Sequence, residues 1–180
     1  MNDQECSPSG AISTIVPIVR CWTTHYLQAE AGLDARVEAH ACTNVHRIDL
    51  KDITSLVSIG GHFNAVVTLS FDNTLIDHLA TVLTDGLDVS DMPADELRED
   101  AAGEVANVIA GNSTKDLCAA GEQLSLTPPV AFANTSWVCR YRGAECHTVR
   151  FETSYGAVDL HLIGSTAADD PNQANTGDAG

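Results

Sequence analysis

The stretch Asp100–Leu117, "DAAGEVANVIAGNSTKDL", decides how the rest of the chain is read. Its alanine, valine and isoleucine spacing is that of an amphipathic helix. With Glu104 set at zero and about 100° per residue, Asp100 falls near −40°, Asn107 near −60° and Gly111 near −20°. Two carboxylates, an amide and a bare glycine therefore share one narrow sector. The opposite side carries Ala102, Val105, Ala106, Ile109 and Ser113, small residues suited to close packing on a sheet. Glycine inside a helix costs about 1 kcal/mol relative to alanine, so Gly111 has a purpose only if something approaches the backbone there. Two readings compete for this sector: an ordinary solvated helix face with Gly111 packed against a neighbour, or a surface that meets a partner.

Working outward, the same helix begins near Pro93 and stops at Gly121, making it the longest element. Upstream, Ile15, Ile18, Trp22 and Tyr26 recur at helical spacing, with Pro17 placed in the first turn and Gly32 as the stop. "ARVEAHACTNVHRIDL" reads as strand. "ITSLVSIGG" and "AVVTLSF" read as a strand pair joined through "GGHFN", with Asn64 supplying a left-handed turn residue ahead of Ala65. Asn73 caps a helix through Leu75, Ile76, Leu79, Val82 and Leu83 to Gly86. After the long helix, "SLTPPVAFA", "TSWVCRYR", "CHTVRFET" and "AVDLHLIG" alternate as strands, with a hairpin turn at Tyr155-Gly156. The expected fold is α/β in the α+β sense: a mainly antiparallel sheet, long helices on one face, and an approximate internal αββ duplication. One domain spans 11–164. Residues 1–10 and the acidic tail 165–180 offer no large apolar side chains to bury in quantity and are expected to be disordered.

Composition narrows the partners. With 25 acidic and 9 basic residues, a formal charge of −16, the chain repels phosphate backbones and anionic lipid surfaces, so neither nucleic acid nor membrane is an expected partner. Cys6, Cys21, Cys42, Cys118, Cys139 and Cys146 are widely spaced without a C-x-x-C pair, which suits a reduced, cytoplasmic setting. There is no basic leader and no run of 18 apolar residues. No phosphate-cradling glycine motif occurs, so nucleotide binding has no support. His40, Cys42 and His46 would share one strand face and could offer three ligands to zinc. A structural site needs a fourth, none is close in sequence, and ordinary strand residues are the preferred reading.

The polar sector also has a chemical use. A carboxylate grips a lysine, and an amide one turn away can hold a single water by both donating and accepting. Orienting water for in-line attack on a phosphoryl group depends on positioning more than on a strong base. Glu104-x-x-Asn107 occurs once in the chain.

The run Asp100-x-x-x-Glu104-x-x-Asn107, followed by "VIAGN", closely resembles the helix motif of the CheX/CheC/FliY family of chemotaxis phosphatases. "LVSIGGHFNAVVTLSF" is similar to that family's strand pair. The resemblance implies dephosphorylation of an aspartyl phosphate on a CheY-like response regulator in chemotaxis signalling. It implies that Glu104 pairs with the regulator's active-site lysine and that Asn107 aligns the attacking water. Asp100 and Gly111 would contact the partner. Magnesium would belong to the regulator, and this chain would need no cofactor or metal of its own. A single Glu-x-x-Asn, with "TTHYLQ" where a doubled-site relative would carry another, points to the CheX type, which implies a homodimer. One departure is the spacing to the following proline: the family pattern places it after 22 intervening residues, whereas Pro128 and Pro129 follow after 20 and 21. The alternative of another class is a docking or flagellar-switch scaffold of the same fold that performs no hydrolysis.

Overall fold

The computed structural model describes residues 11–43, 47–61, 64–119, 121, 123–139 and 144–165. The expectations of disorder for 1–10 and 165–180 lie outside these residues except at Ser165, which is the last residue of a strand.

Helix α1 (Ala11–His25) continues into a π turn, Tyr26–Glu30, and Gly32, at φ +66°, turns the chain out of it. Its buried stripe is Ile12, Ile15, Val16, Val19, Tyr26 and Leu27, with Ile18 and Trp22 half-buried at its margin. Pro17 does not sit in the first turn as expected. It lies inside the helix on the exposed side, where it has no N–H to give to the helix ladder.

The strands are β1 (Arg36–Thr43), β2 (Arg47–Asp49), β3 (Ile53–Gly60), β4 (Ala65–Phe71), β5 (Ser125–Leu126), β6 (Val130–Ala133), β7 (Trp137–Cys139), β8 (Ala144–Thr153) and β9 (Gly156–Ser165). Among the described residues they form a seven-stranded sheet, ordered β1-β8-β9-β4-β3-β5 with β6 also on β3, and a separate β2-β7 ribbon. Every pairing is antiparallel. Two hairpins, β3-β4 and β8-β9, meet at the centre, where Leu69 stands opposite Leu160. Each follows a helix, and the extra strand of each half crosses to the other half: β1 pairs with β8, and β6 with β3. The internal duplication takes this form. β5 and β6 are two pieces of one edge, separated by Thr127 to Pro129, because proline cannot donate to the ladder.

Helix α2 (Asn73–Leu83) and helix α3 (Ala94–Ala119) pack with α1 over one face of the sheet. That face contributes Val57, Val67, Leu69, Phe71, Val149, Phe151, Val158, Leu160 and Leu162 to the main core. The reverse face is polar along two cross-strand rows. Arg150 makes a two-pronged ion pair with Asp159, both bonds 2.8 Å, and Thr54 bonds Ser70 at 2.8 Å. One row over, Thr148 Oγ1 meets His161 Nδ1 at 2.9 Å. Ile48, Leu50 and Val138 of the ribbon region cover Ala144, Cys146, Ile163 and Val66 in a second small cluster.

Several local expectations change. The N-cap of α2 is Asp72, in extended conformation at ψ 144°, and Asn73 is the first helical residue. Asp72 does not cap with its side chain, which is taken by Lys51 Nζ at 2.8 Å and the Ala157 amide at 2.7 Å; Asp52 accepts from the Asn73 amide instead. Val82, expected on the apolar stripe of α2, is 37% exposed. The β8-β9 turn is Ser154-Tyr155 rather than Tyr155-Gly156, since Thr153 pairs with Gly156. Asn64 is not left-handed: among the described non-glycine residues only Asn134 has positive φ. The glycine that the β3-β4 connection requires is Gly61, where a Cβ would stand 2.6 Å from the Gln123 carbonyl oxygen.

Candidate functional site

Helix α3 has the two sides that its sequence prescribes. Ala102, Val105, Ala106, Ile109 and Ser113 are all buried, joined by Ala101, Ala110, Thr114 and Leu117. Small side chains let the helix axis come close to β3 and β4, which fixes its rotation and hence the direction of everything on its outer side.

On that outer side Asp100, Glu104 and Asn107 are exposed and Gly111 is half-buried. Among the described residues neither the Glu104 carboxylate nor the Asn107 amide has a hydrogen-bonded partner. A Cβ added at Gly111 would find nothing of this chain within 4 Å. The glycine is thus not a packing device of the fold, contrary to the solvated-face reading that had it pressed against a neighbour. It leaves a stretch of bare helix backbone open to whatever comes from outside.

Two depressions flank this ridge. On one side a groove of about 540 Å³ is lined by Glu99, Asp100, Gly103, Glu104, Pro129 and Ala131. Its lining holds three carboxylates and no cation, because Arg98 on the same helix turns to α2 and bonds Asp77 at 2.6 and 3.1 Å. Pro129 is the proline that meets the helix, its Cγ 3.8 Å from where a Gly103 Cβ would be.

On the other side lies the seam between α1 and α3, lined by Trp22, His25, Tyr26, Glu30, Val108, Ile109 and Asn112. Trp22 donates from Nε1 to Asp116 at 2.7 Å, tying the two helices together. Burial, and after it the charges of Glu104 and Glu30, push the Tyr26 phenol up to about 12. Sequence reasoning placed Tyr26 only in an apolar stripe and passed over Pro129 as a spacing mismatch. Nothing local to either marks its proximity to Glu104.

The possible zinc ligands do not gather into a site that can be described. Of the three, His40 and Cys42 fall on β1, with Cys42 opposite His147 in register, but their side chains and all of His46 lie outside the described residues. Among the described residues no group of three or more metal-ligating side chains is found. No helix among them is long and apolar enough to cross a membrane.

Fold and site together define a class: a helix-on-sheet domain whose longest helix presents to solvent a carboxylate and an amide, one turn apart and unpaired among the described residues. The family model described as chemotaxis phosphatase CheX matches residues 53–152, a span that includes the β3-β4 pair and all of α3. The chain belongs to the CheX family of chemotaxis phosphatases. Among curated protein sequences none matches it. Solved structures share the fold at low identity. The chemotaxis protein CheX of Desulfovibrio desulfuricans is 19% identical with TM-score 0.72, covering 84% of this chain and 99% of that one. CheX in the CheX-CheY-BeF3-Mg2+ complex of Borrelia burgdorferi is 18% identical with TM-score 0.63, covering 83% and 96%. FliY of Thermotoga maritima is 18% identical with TM-score 0.59, covering 90% and 92%.

Proposed function

We propose that this chain is a phosphatase that hydrolyses the aspartyl phosphate of a CheY-like receiver domain. The observation that carries the reading is the pair itself: Glu104 and Asn107 exposed, unpaired among the described residues, one turn apart, and backed by a helix whose other side is committed to the core. Family membership supports the reaction, and the Borrelia burgdorferi complex of a fold relative with CheY supports the partner.

In this reading Glu104 pairs with a lysine beside the receiver's phosphorylated aspartate and so sets the depth and angle of α3. Asn107 enters the site, and its amide donates to and accepts from one water. The water oxygen bonds to phosphorus as the acyl oxygen–phosphorus bond breaks, returning a carboxylate and releasing inorganic phosphate. Positioning and charge stabilisation supply the acceleration, which is why no strong base is required on this chain. Asp100 and the bare backbone at Gly111 contact the receiver on either side of the pair. Magnesium would come with the receiver. The setting is the cytoplasm, and the acting species is a homodimer, which sedimentation at micromolar concentration would verify.

The test is to mix the purified chain with a phosphorylated CheY-like receiver and follow inorganic phosphate. Release faster than from the receiver alone is expected. Stable co-elution without faster release would instead identify a docking scaffold of the same fold.

A further inference from the structure

Tyr26 opens the π turn that follows α1, and its ring lies in the seam against Val108, Ile109 and Asn112 of α3. Val108 is one turn beyond Glu104 and about 40° round from it, so the seam runs directly alongside the Glu104 side chain. The residue is only 5% exposed, and no hydrogen bond among the described residues ties its hydroxyl, whose oxygen is not one of the fully buried unpaired atoms and so still meets solvent. Such a side chain has an apolar body and a polar tip that stays wet until a partner covers it. The carboxylates that act on it are those of Glu104 and, less strongly, Glu30, and with burial they keep the phenol protonated, a donor, across the neutral range. π turns of this kind often occur at functional sites because they re-aim side chains without ending the helix.

We propose that Tyr26 is a positioning residue for Glu104: when a receiver covers the seam and excludes water, the Tyr26 hydroxyl donates a hydrogen bond to the Glu104 carboxylate and holds it toward the partner's lysine. This rests on the reading of Glu104 given under Proposed function. The phenol touches neither the phosphate nor the water, so it acts on docking rather than on the chemical step.

The experiment is a double-mutant cycle in the full chain with Tyr26→Phe and Glu104→Ala, measuring affinity for a CheY-like receiver loaded with magnesium and beryllofluoride, and phosphate release across receiver concentrations. Tyr26→Phe removes one charge-assisted hydrogen bond and is expected to weaken docking about tenfold. It raises KM with kcat retained, and has no further effect when Glu104 is already alanine. An unchanged affinity, or a loss that simply adds to that of Glu104→Ala, would overturn the proposal, since packing alone gives additive losses. A second measurement is independent of catalysis. The chain has three tyrosines, so the Tyr26 phenol can be followed by NMR of ring-labelled protein. Its titration should move down toward the ordinary value in Glu104→Ala, and no movement would show that the two groups do not interact. A chain that releases no phosphate but shows both the coupled affinities and the moved titration would sink the phosphatase reading and leave this pairing standing.

Discussion

Ile12 of α1 lies so close over Gly164 of β9 that a Cβ added at the glycine would overlap the isoleucine Cδ1 and stand 2.8 Å from the Asn64 carbonyl oxygen. The contact seats the start of α1 on the sheet, and with it the helix that carries Tyr26 to α3.

Gly164→Ala should therefore destabilise the fold by about 1–3 kcal/mol, the usual effect of overpacking a site whose neighbours cannot withdraw. Urea unfolding would measure it. Pairing it with Ile12→Val should recover part of the loss; recovery by no second substitution in α1 would mean that the contact is not the cause.

Asn107→Ala should lower the accelerated rate of phosphate release at least about hundredfold, as removal of a group that orients the reacting partner does. Docking to the receiver should be largely retained. Glu104→Ala should weaken docking about tenfold or more and lower the rate with it. If the double substitution released phosphate at the wild-type rate, the site would have to be sought elsewhere.

Gly111→Ala separates stability from docking. Nothing of this chain lies within 4 Å of the added methyl, so the isolated protein should gain about 1 kcal/mol from helix propensity. The same methyl stands where a partner's backbone would approach, so affinity for the receiver should fall. A variant that is more stable and docks as well as wild type would return Gly111 to the solvated surface.

His161 gives the fold a dependence on pH. Burial, opposed by Asp159 and aided by Arg150 and Lys51, lowers its imidazole to about 4, while Thr148 bonds Nδ1. An unfolded histidine titrates near 6.5. Between those values the unfolded chain binds a proton that the folded one does not, so this contribution is full above about 6.5 and is lost as pH falls toward about 4. Unfolding midpoints at stepped pH should decline over that window in the wild type and decline less in His161→Gln. Equal slopes would remove His161 as the source.

Much of this molecule is visible in short stretches. The period of α3 alone separates the residues that bury from those that face out, and all five small residues assigned to the inner side are buried. β3 and β4 follow from alternation between turn signals, and their register is what a short connection between antiparallel strands imposes. Where local reading erred, a longer-range contact intervened. Asp72 rather than Asn73 is the N-cap of α2 because Lys51 and the Ala157 amide hold it there. The glycine needed between β3 and β4 is Gly61 because Gln123, far away in sequence, presses against it.

The ridge of Asp100, Glu104, Asn107 and Gly111 was thus determined by sequence alone, since helical geometry places residues three and four apart on one side whatever surrounds the helix. What flanks the ridge was decided only by tertiary structure. Pro129 reaches Gly103 because β6 returns to pair with β3 beneath α3, and Tyr26 reaches the seam beside Val108, one turn beyond Glu104, because α1 and α3 pack against each other over the joined hairpins. A helix carries its own periodicity in a dozen residues. The neighbours it meets are set by strand order and by the packing of distant segments, and no single stretch of chain contains that information.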